Sequence, residues 1–219
     1  MKRIVVLISG NGRNLQSLLD AVAAGRIPAG IAAVISNKAD AYGLERARAA
    51  GVPAEVLPHV AYARREDFDA ALAEAIERHA PDIVVMAGFM RVVGDAFVRR
   101  FRGRMLNIHP SLLPRHPGLR THQAALDAGD REHGATVHFV TEELDGGPPI
   151  IQGQFMVKAE DTAGSLAERV MQDIELKIYP QAVAWMARGE LALEQGQVRF
   201  RGRPLQQPLG LQDLEAEFQ

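Results

Sequence analysis

The chain contains no cysteine, which excludes disulfides, thiolate catalysis and the usual structural zinc sites and fits a reducing compartment. An excess of one charge is also missing. Against 25 basic residues stand 27 acidic ones, a formal net charge of -2, so the chain has no general attraction to nucleic acid or anionic lipid. Any anion it binds must be held locally. Long apolar runs are absent from the start: Met1-Lys2-Arg3 leads into only five apolar residues and then a Gly/Asn loop, too short for a signal peptide or a membrane span. The expected location is cytoplasmic, with no membrane partner. What remains is ordinary: 47% hydrophobic and 24% charged residues in a chain of 219 predict a substantial core and a single domain. No internal repeat interrupts it.

Residues 4–8 form an unbroken β-branched and aliphatic run ending in Ser9-Gly10-Asn11-Gly12, the pattern of a strand buried on both faces that closes in a tight loop. Leu15, Leu18, Leu19 and Val22 follow at helical spacing, with Gly25 as the stop. The alternation repeats. A strand is predicted over 31–35, a helix over 43–50, an extended piece over 54–57, a helix presenting Phe68, Leu72, Ala75 and Ile76, a strand over 83–87, a short helix near Phe97 and Phe101, and a strand over 105–109. Strands alternating with helices predict an α/β fold: a Rossmann-like, mostly parallel sheet with helices on both faces. After Pro110 come a Pro-rich loop to Gly118, a short helix over 121–128 and extended segments over 136–140 and 149–157, which predict antiparallel C-terminal additions. From Asp161 as N-cap, Leu166, Val170, Ile174 and Ile178 recur along a long helix that bends at Pro180. The expected organisation is one domain over 1–202, with halves 1–100 and 101–202, and a loosely docked tail over 203–219.

The loop Ser9-Gly10-Asn11-Gly12-Arg13-Asn14-Leu15 joins a strand to a helix N-terminus, where backbone N–H groups and the helix dipole favour a phosphate. A dinucleotide fingerprint needs a third glycine where Leu15 stands, and an acid where Ser36-Asn37-Lys38 stands, so NAD is disfavoured. A Walker loop is excluded because no Gly-Lys-Ser/Thr follows at the required spacing. The loop can also be read as a tight turn that uses glycine only for positive φ.

In Met105-Leu106-Asn107-Ile108-His109-Pro110 the strand period of two puts Asn107 and His109 on one face. Pro110 ends the ladder there, at the strand terminus where open α/β sheets bind ligands. Asp145-Gly146-Gly147-Pro148 supplies a carboxylate on a loop able to approach a histidine and to favour its charged form. An imidazolium beside an amide makes an oxyanion site. No nucleophilic serine elbow accompanies them, so attack by a bound amine is favoured over a covalent intermediate. Taken singly, each of the three could instead be a turn or capping residue. The other histidines, at 59, 79, 116, 122, 133 and 138, lack tight ligand spacing, and no metal is expected. His138, on the same predicted strand as Val137 and Phe139, is a candidate to support the site.

The stretch Asn107-Ile108-His109-Pro110-Ser111-Leu112-Leu113-Pro114 resembles the signature of the folate-dependent formyltransferases. Ile8-Ser9-Gly10-Asn11-Gly12, Val85-Met86-Ala87-Gly88-Phe89-Met90-Arg91, His133-Gly134-Ala135-Thr136-Val137-His138-Phe139-Val140 and Leu144-Asp145-Gly146-Gly147 resemble, in the same order, the members of that family that formylate phosphoribosylglycinamide. The likeness extends to about residue 190. It implies transfer of a formyl group from the co-substrate 10-formyltetrahydrofolate to the amine of 5-phosphoribosylglycinamide, in de novo purine biosynthesis. Asn107, His109 and Asp145 would be the catalytic group, and Gly12, Arg13 and Asn14 the phosphate site. Met90, Arg91, Val92 and Val93, joined by Asn107, would form the folate segment; Arg65 would contact folate, and Glu175 the ribose hydroxyls. Arg13 departs from the small serine usual in the family, and either its guanidinium or its backbone N–H could meet the phosphate.

Three other functions share parts of this pattern. A formyltetrahydrofolate hydrolase would use water as acceptor, and a non-catalytic sugar-phosphate or folate sensor would keep the pocket alone. A formyltransferase acting on charged tRNA would need a basic surface that the net charge does not provide. Small-molecule partners are expected, with the chain a monomer or homodimer.

Overall fold

The computed structural model describes residues 1–219, which form two compact units, Met1–Asn107 and Ile108–Gln219. The first unit alternates β1 (Lys2–Ile8), α1 (Arg13–Ala23), β2 (Ala29–Ser36), α2 (Gly43–Ala49), β3 (Ala54–Val56), α3 (Arg65–Glu77), β4 (Ile83–Met86), α4 (Asp95–Arg100) and β5 (Met105–His109), the last strand running across the division. Their order is β3-β2-β1-β4-β5, and every neighbouring pair is parallel. Val5, Val6, Leu7 and Ile8 are fully buried, which explains why β1 reads as a continuous apolar run rather than an alternating one. On α1, Leu15, Leu18 and Leu19 are buried at the predicted spacing, each contributing roughly 1.5–3 kcal/mol.

That strand order places the chain's reversal of direction between β1 and β4. Successive crossovers run outward from β1 to β3, then return to β4 and β5 on its other side. The loops leaving the C-terminal ends of β1 and β4 therefore lead off to opposite sides, the kind of switch point where open α/β sheets take ligands.

The second unit begins in the end of β5 and continues through α5 (Thr121–Asp127), β6 (Glu132–Phe139), β7 (Pro149–Met156), α6 (Ala163–Arg169), α7 (Leu176–Arg188), β8 (Leu191–Glu194), β9 (Gln197–Phe200) and β10 (Arg203–Pro204). β6 follows β5 in the sheet and pairs antiparallel with β7. The principal sheet is thus mostly parallel, with seven strands, and a separate antiparallel sheet is built in the order β10-β9-β8.

The long helix predicted from Asp161 is divided. Thr162, not Asp161, is the N-cap, its hydroxyl accepting from Ser165 N while Ser165 Oγ accepts from Thr162 N. Asp161 instead takes the Ser165 hydroxyl and an ion pair with Arg169 at 2.5 Å. Between α6 and α7, Val170–Glu175 form a wide π-type turn. The spacing explains it: a residue every four positions drifts off one face of a 3.6-residue helix, and a wider turn restores the phase. Leu166, Val170, Ile174 and Ile178 are consequently all buried. The irregularity comes before Pro180, which sits inside α7.

The segment from Arg203 is docked, contrary to the loose tail expected. Leu209 exchanges backbone hydrogen bonds of 2.9 Å with Ile150 and Gln152 on β7, extending that strand's outer edge. Glu215 N donates to Gln181 Oε1 at 2.8 Å, Trp185 Nε1 donates to Glu215 Oε1 at 3.1 Å, and Phe218 is buried. No helix is long and apolar enough to cross a membrane.

Candidate active site

In the first unit, the loop after β1 is braced from several sides. Gly43 N donates to Gly10 O at 3.0 Å, and Arg46 donates from Nε to Asn11 O and from Nη2 to Asn11 Oδ1, both at 2.9 Å. Gly12 is the N-cap of α1 at φ 77, and a Cβ there would lie 2.7 Å from Gly43 Cα. Glycine at this position therefore serves both a left-handed backbone and a close approach of α2. No side chain caps α1, and its first turn carries no acid. The helix end offers its dipole to an incoming anion at residues 12–14 without a competing carboxylate.

The loop after β4 starts at Gly88, φ 76. It exposes the apolar side chains of Met90 (61%) and Val92 (53%). Its far end is fixed by Asp69 on α3, whose Oδ2 accepts from Gly94 N at 2.7 Å. Burial pushes the Asp69 carboxyl up, partly offset by that N–H. Arg91 lies with its guanidinium carbon 5.8 Å from the Phe68 ring centre. Arg65, the first residue of α3, lines a cleft of about 390 Å³ together with Asp69, Gly94, Phe97 and Arg100.

Asn107 and His109 stand on β5 with Ile108 between them, so the strand's alternation gives them a common face. In the second unit, His109 and Asp145 are brought together: Nδ1 is 3.4 Å from Asp145 Oδ2, with side chains only 6% and 9% exposed. Nε2 donates to His116 O at 2.9 Å. The ring thus faces an oxygen at each of its nitrogens. Asp145 has a left-handed backbone, φ 51, uncommon for a non-glycine residue and typical of positions held by their surroundings. What holds it is its own Oδ2, which accepts from Gly118 N at 2.8 Å. Gly147 allows the turn to close: a Cβ there would fall 1.7 Å from Phe139 O and 3.3 Å from His138 Nδ1.

His138 lies beside this pair. Its Nδ1–H donates to Phe139 O at 2.8 Å, while Nε2 lies 3.8 Å from Asp145 Oδ1. Burial pushes its pKa down, against the Phe139 carbonyl and the Asp145 charge. The loop carrying the His116 carbonyl is pinned at several points. His116 Nε2 meets Asp130 Oδ2 at 2.8 Å, and Arg115 pairs with the other Asp130 oxygen. Thr136 Oγ1 donates to Ser111 O at 2.7 Å and accepts from Leu113 N at 3.1 Å. Glu175, the last residue of the wide turn, is 5% exposed. Neither Asp130 nor Thr136 is conspicuous in the sequence: Asp130 acts through the side chains of Arg115 and His116 and Thr136 through the backbone of Ser111 and Leu113, on a loop whose path is not legible from residue types.

Behind this loop His122 Nδ1 lies 2.9 Å from His133 Nε2, a contact in which one ring donates and the other accepts. Burial, followed by the His122 charge, pushes His133 down to about 4. Between that value and 6.5 the unfolded chain binds the extra proton, so stability falls as pH drops through this window. The loss expected is roughly 3 kcal/mol, at about 1.4 kcal/mol per pKa unit. Chemical denaturation between pH 7 and pH 4 should show it, and His133→Asn should flatten the slope. An unchanged slope in the variant would remove His133 from this role.

A Rossmann-like, mostly parallel sheet and, in the second unit, a buried histidine–carboxylate pair beside the end of β5 are features of the α/β class of enzymes. The chain belongs to the formyl transferase family, whose sequence pattern matches residues 2–183. It is 51% identical over 202 residues to the phosphoribosylglycinamide formyltransferase of Escherichia coli K12, covering 92% of this chain and 95% of that one. It is also 45% identical over 197 residues to the human trifunctional purine biosynthetic protein adenosine-3, covering 90% of this chain and 19% of that much longer protein. Among solved structures, phosphoribosylglycinamide formyltransferase from Coxiella burnetii superposes with a TM-score of 0.90 at 47% identity, covering 95% of this chain and 98% of that one. Glycinamide ribonucleotide transformylase 1 from Symbiobacterium toebii gives 0.88 at 49% identity, covering 91% and 94%.

Proposed function

We propose that the chain transfers the formyl group of 10-formyltetrahydrofolate to the amine of 5-phosphoribosylglycinamide, a step of de novo purine synthesis, and that it acts as a cytoplasmic enzyme. The observation that carries the reading is the His109–Asp145 pair, 3.4 Å apart and buried, with His109 on the strand that also bears Asn107. The neutral amine attacks the formyl carbon. The carbonyl oxygen becomes an oxyanion that accepts from His109 Nε2–H and the Asn107 side-chain amide. Collapse of this intermediate breaks the bond from carbon to the folate nitrogen, which takes up a proton as the amine loses one. Asp145 keeps His109 oriented through Nδ1 and favours its charged form. Since Nε2 donates to His116 O in the structure, that carbonyl gives way when the reacting oxygen arrives.

Residues 12–14 hold the phosphate and Glu175 the ribose hydroxyls. Residues 90–93, with Arg65 and Asn107, hold the folate: backbone groups read the pterin edge and apolar side chains cover its faces. For the phosphate loop the expected result is specific. Gly12→Ala costs more than about 1 kcal/mol for the left-handed backbone alone, and the clash with Gly43 displaces the loop, so calorimetry with ribose 5-phosphate should show affinity reduced by roughly tenfold or more. Unaltered affinity would move the phosphate elsewhere.

The overall reading is tested by following deformylation of 10-formyltetrahydrofolate with and without phosphoribosylglycinamide. Turnover only with the amine supports it. Equal turnover without the amine would indicate a hydrolase, and binding without turnover a sensor.

A further inference from the structure

We infer that Ser9 is a positioning residue that couples the two substrate subsites of the first unit, so that occupancy of the phosphate loop tightens the folate segment through a single buried hydroxyl. The inference rests on the reading of residues 12–14 as the phosphate site and of residues 90–93 as the folate segment.

Ser9 stands at the switch point, the first residue after β1, and is 5% exposed. Its backbone N–H donates to Gly88 O at 3.1 Å, continuing the β1–β4 ladder one step past the strand ends. Its side chain then reaches further along the same loop: Oγ accepts from Met90 N at 2.8 Å. A hydroxyl has one proton to give, and here that proton goes to Asn37 Oδ1 at 2.5 Å. Asn37 follows β2 directly and is 3% exposed. With its proton committed, the hydroxyl presents a lone pair to Met90 N–H. The orientation is set by the fold rather than chosen by a rotor.

On its other side Ser9 is bonded to Gly10, whose carbonyl is the acceptor for Gly43 N at 3.0 Å, the same glycine on which Gly12 rests. The phosphate loop therefore has a rigid far wall and one covalent exit toward the folate segment, which is Ser9. A phosphate that orders residues 10–14 fixes the Ser9 backbone, and with it the acceptor on which Met90 N hangs. Met90 is the first residue of the folate segment, so its backbone position sets the path of the three that follow. Ordering paid for by one ligand need not be paid again by the second, which gives positive coupling without a large movement.

The test measures the affinity of 10-formyltetrahydrofolate by calorimetry with and without saturating ribose 5-phosphate, a phosphate ligand that carries no amine to react. In the unaltered protein the phosphate is expected to tighten folate binding by about fivefold or more. Ser9→Ala should bring that ratio to within about twofold of unity, and Ser9→Thr, which keeps the hydroxyl, should restore it. A merely structural role would weaken both ligands and leave the ratio intact. Asn37→Ala provides a second variant should Ser9→Ala fold poorly: it frees the hydroxyl rotor and should lower the ratio in the same direction. A ratio near unity in the unaltered protein, or one unchanged in both variants, overturns the coupling alone. If the unaltered protein binds neither ligand, the reading of the two subsites fails and the coupling fails with it.

Discussion

His109→Ala is expected to lower kcat/KM for formyl transfer on the order of 1000-fold while leaving the fold intact, because in the proposed mechanism the ring donates to the developing oxyanion. Removing one donor of this kind typically costs about 100- to 1000-fold. The upper end is expected here because the alanine also leaves Asp145 facing a small void and removes the group that its carboxylate orients. His109 makes its Nε2 bond to a loop carbonyl, and that loop is anchored independently through Asp130, Ser111 and Thr136. Circular dichroism and the unfolding midpoint at pH 7 should therefore change little. Turnover within tenfold of the unaltered protein would remove His109 from the chemistry.

The second large effect belongs to Asp145. Asp145→Asn keeps an oxygen able to accept from Gly118 N, the contact of 2.8 Å that holds the left-handed turn, and it discards only the charge facing His109. A hydrogen bond to a charged group is worth about 1.5–3 kcal/mol, so kcat/KM should fall roughly 10- to 100-fold, with most of the loss in kcat. Asp145→Ala removes the turn's anchor as well and should lose activity and stability together. Were Asn and Ala variants to behave alike, the carboxylate would be acting through the turn and not through its charge.

The parallel half of the fold was written plainly in the sequence, since strands such as β1 and β4 are short apolar runs closed by a glycine loop, and helices such as α1 and α3 carry an apolar stripe at helical spacing. Local pattern and tertiary burial agree there, as at Val5, Val6 and Leu7. They diverge where one residue answers to two neighbours. Asp161 looks like a cap, yet Arg169, eight residues on, draws its carboxylate away and leaves the cap to Thr162. The four-residue recurrence from Leu166 to Ile178 suggested a helix but concealed its wide turn. The small antiparallel sheet was missed because its hairpins turn on Gln195-Gly196 and Arg201-Gly202, where both residues of each pair have positive φ. Asn-Gly and Asp-Gly are the pairs that usually announce such turns.

For the site, residue types alone pointed to an oxyanion-binding pair of side chains on β5 and a carboxylate on a glycine loop. The distance between His109 and Asp145 could not be read from residues 36 positions apart in the chain. It depends on Gly147 passing under Phe139 and on the bond from Gly118. Ser9, Asp69 and Arg46 were silent for a similar reason. Each acts on the backbone of a neighbouring loop, and no spacing rule links a side chain to an N–H or carbonyl belonging to another crossover.

The central claim is direct attack by a bound amine, with the formyl group never carried by the protein. Incubating the enzyme with 10-formyltetrahydrofolate labelled in the formyl carbon, then quenching rapidly, tests it most directly. Label should move stoichiometrically to the amine of phosphoribosylglycinamide, as its N-formyl group, when that acceptor is present, and stay on the folate when it is absent. Label recovered on the denatured chain, or released as formate without acceptor, would contradict the account.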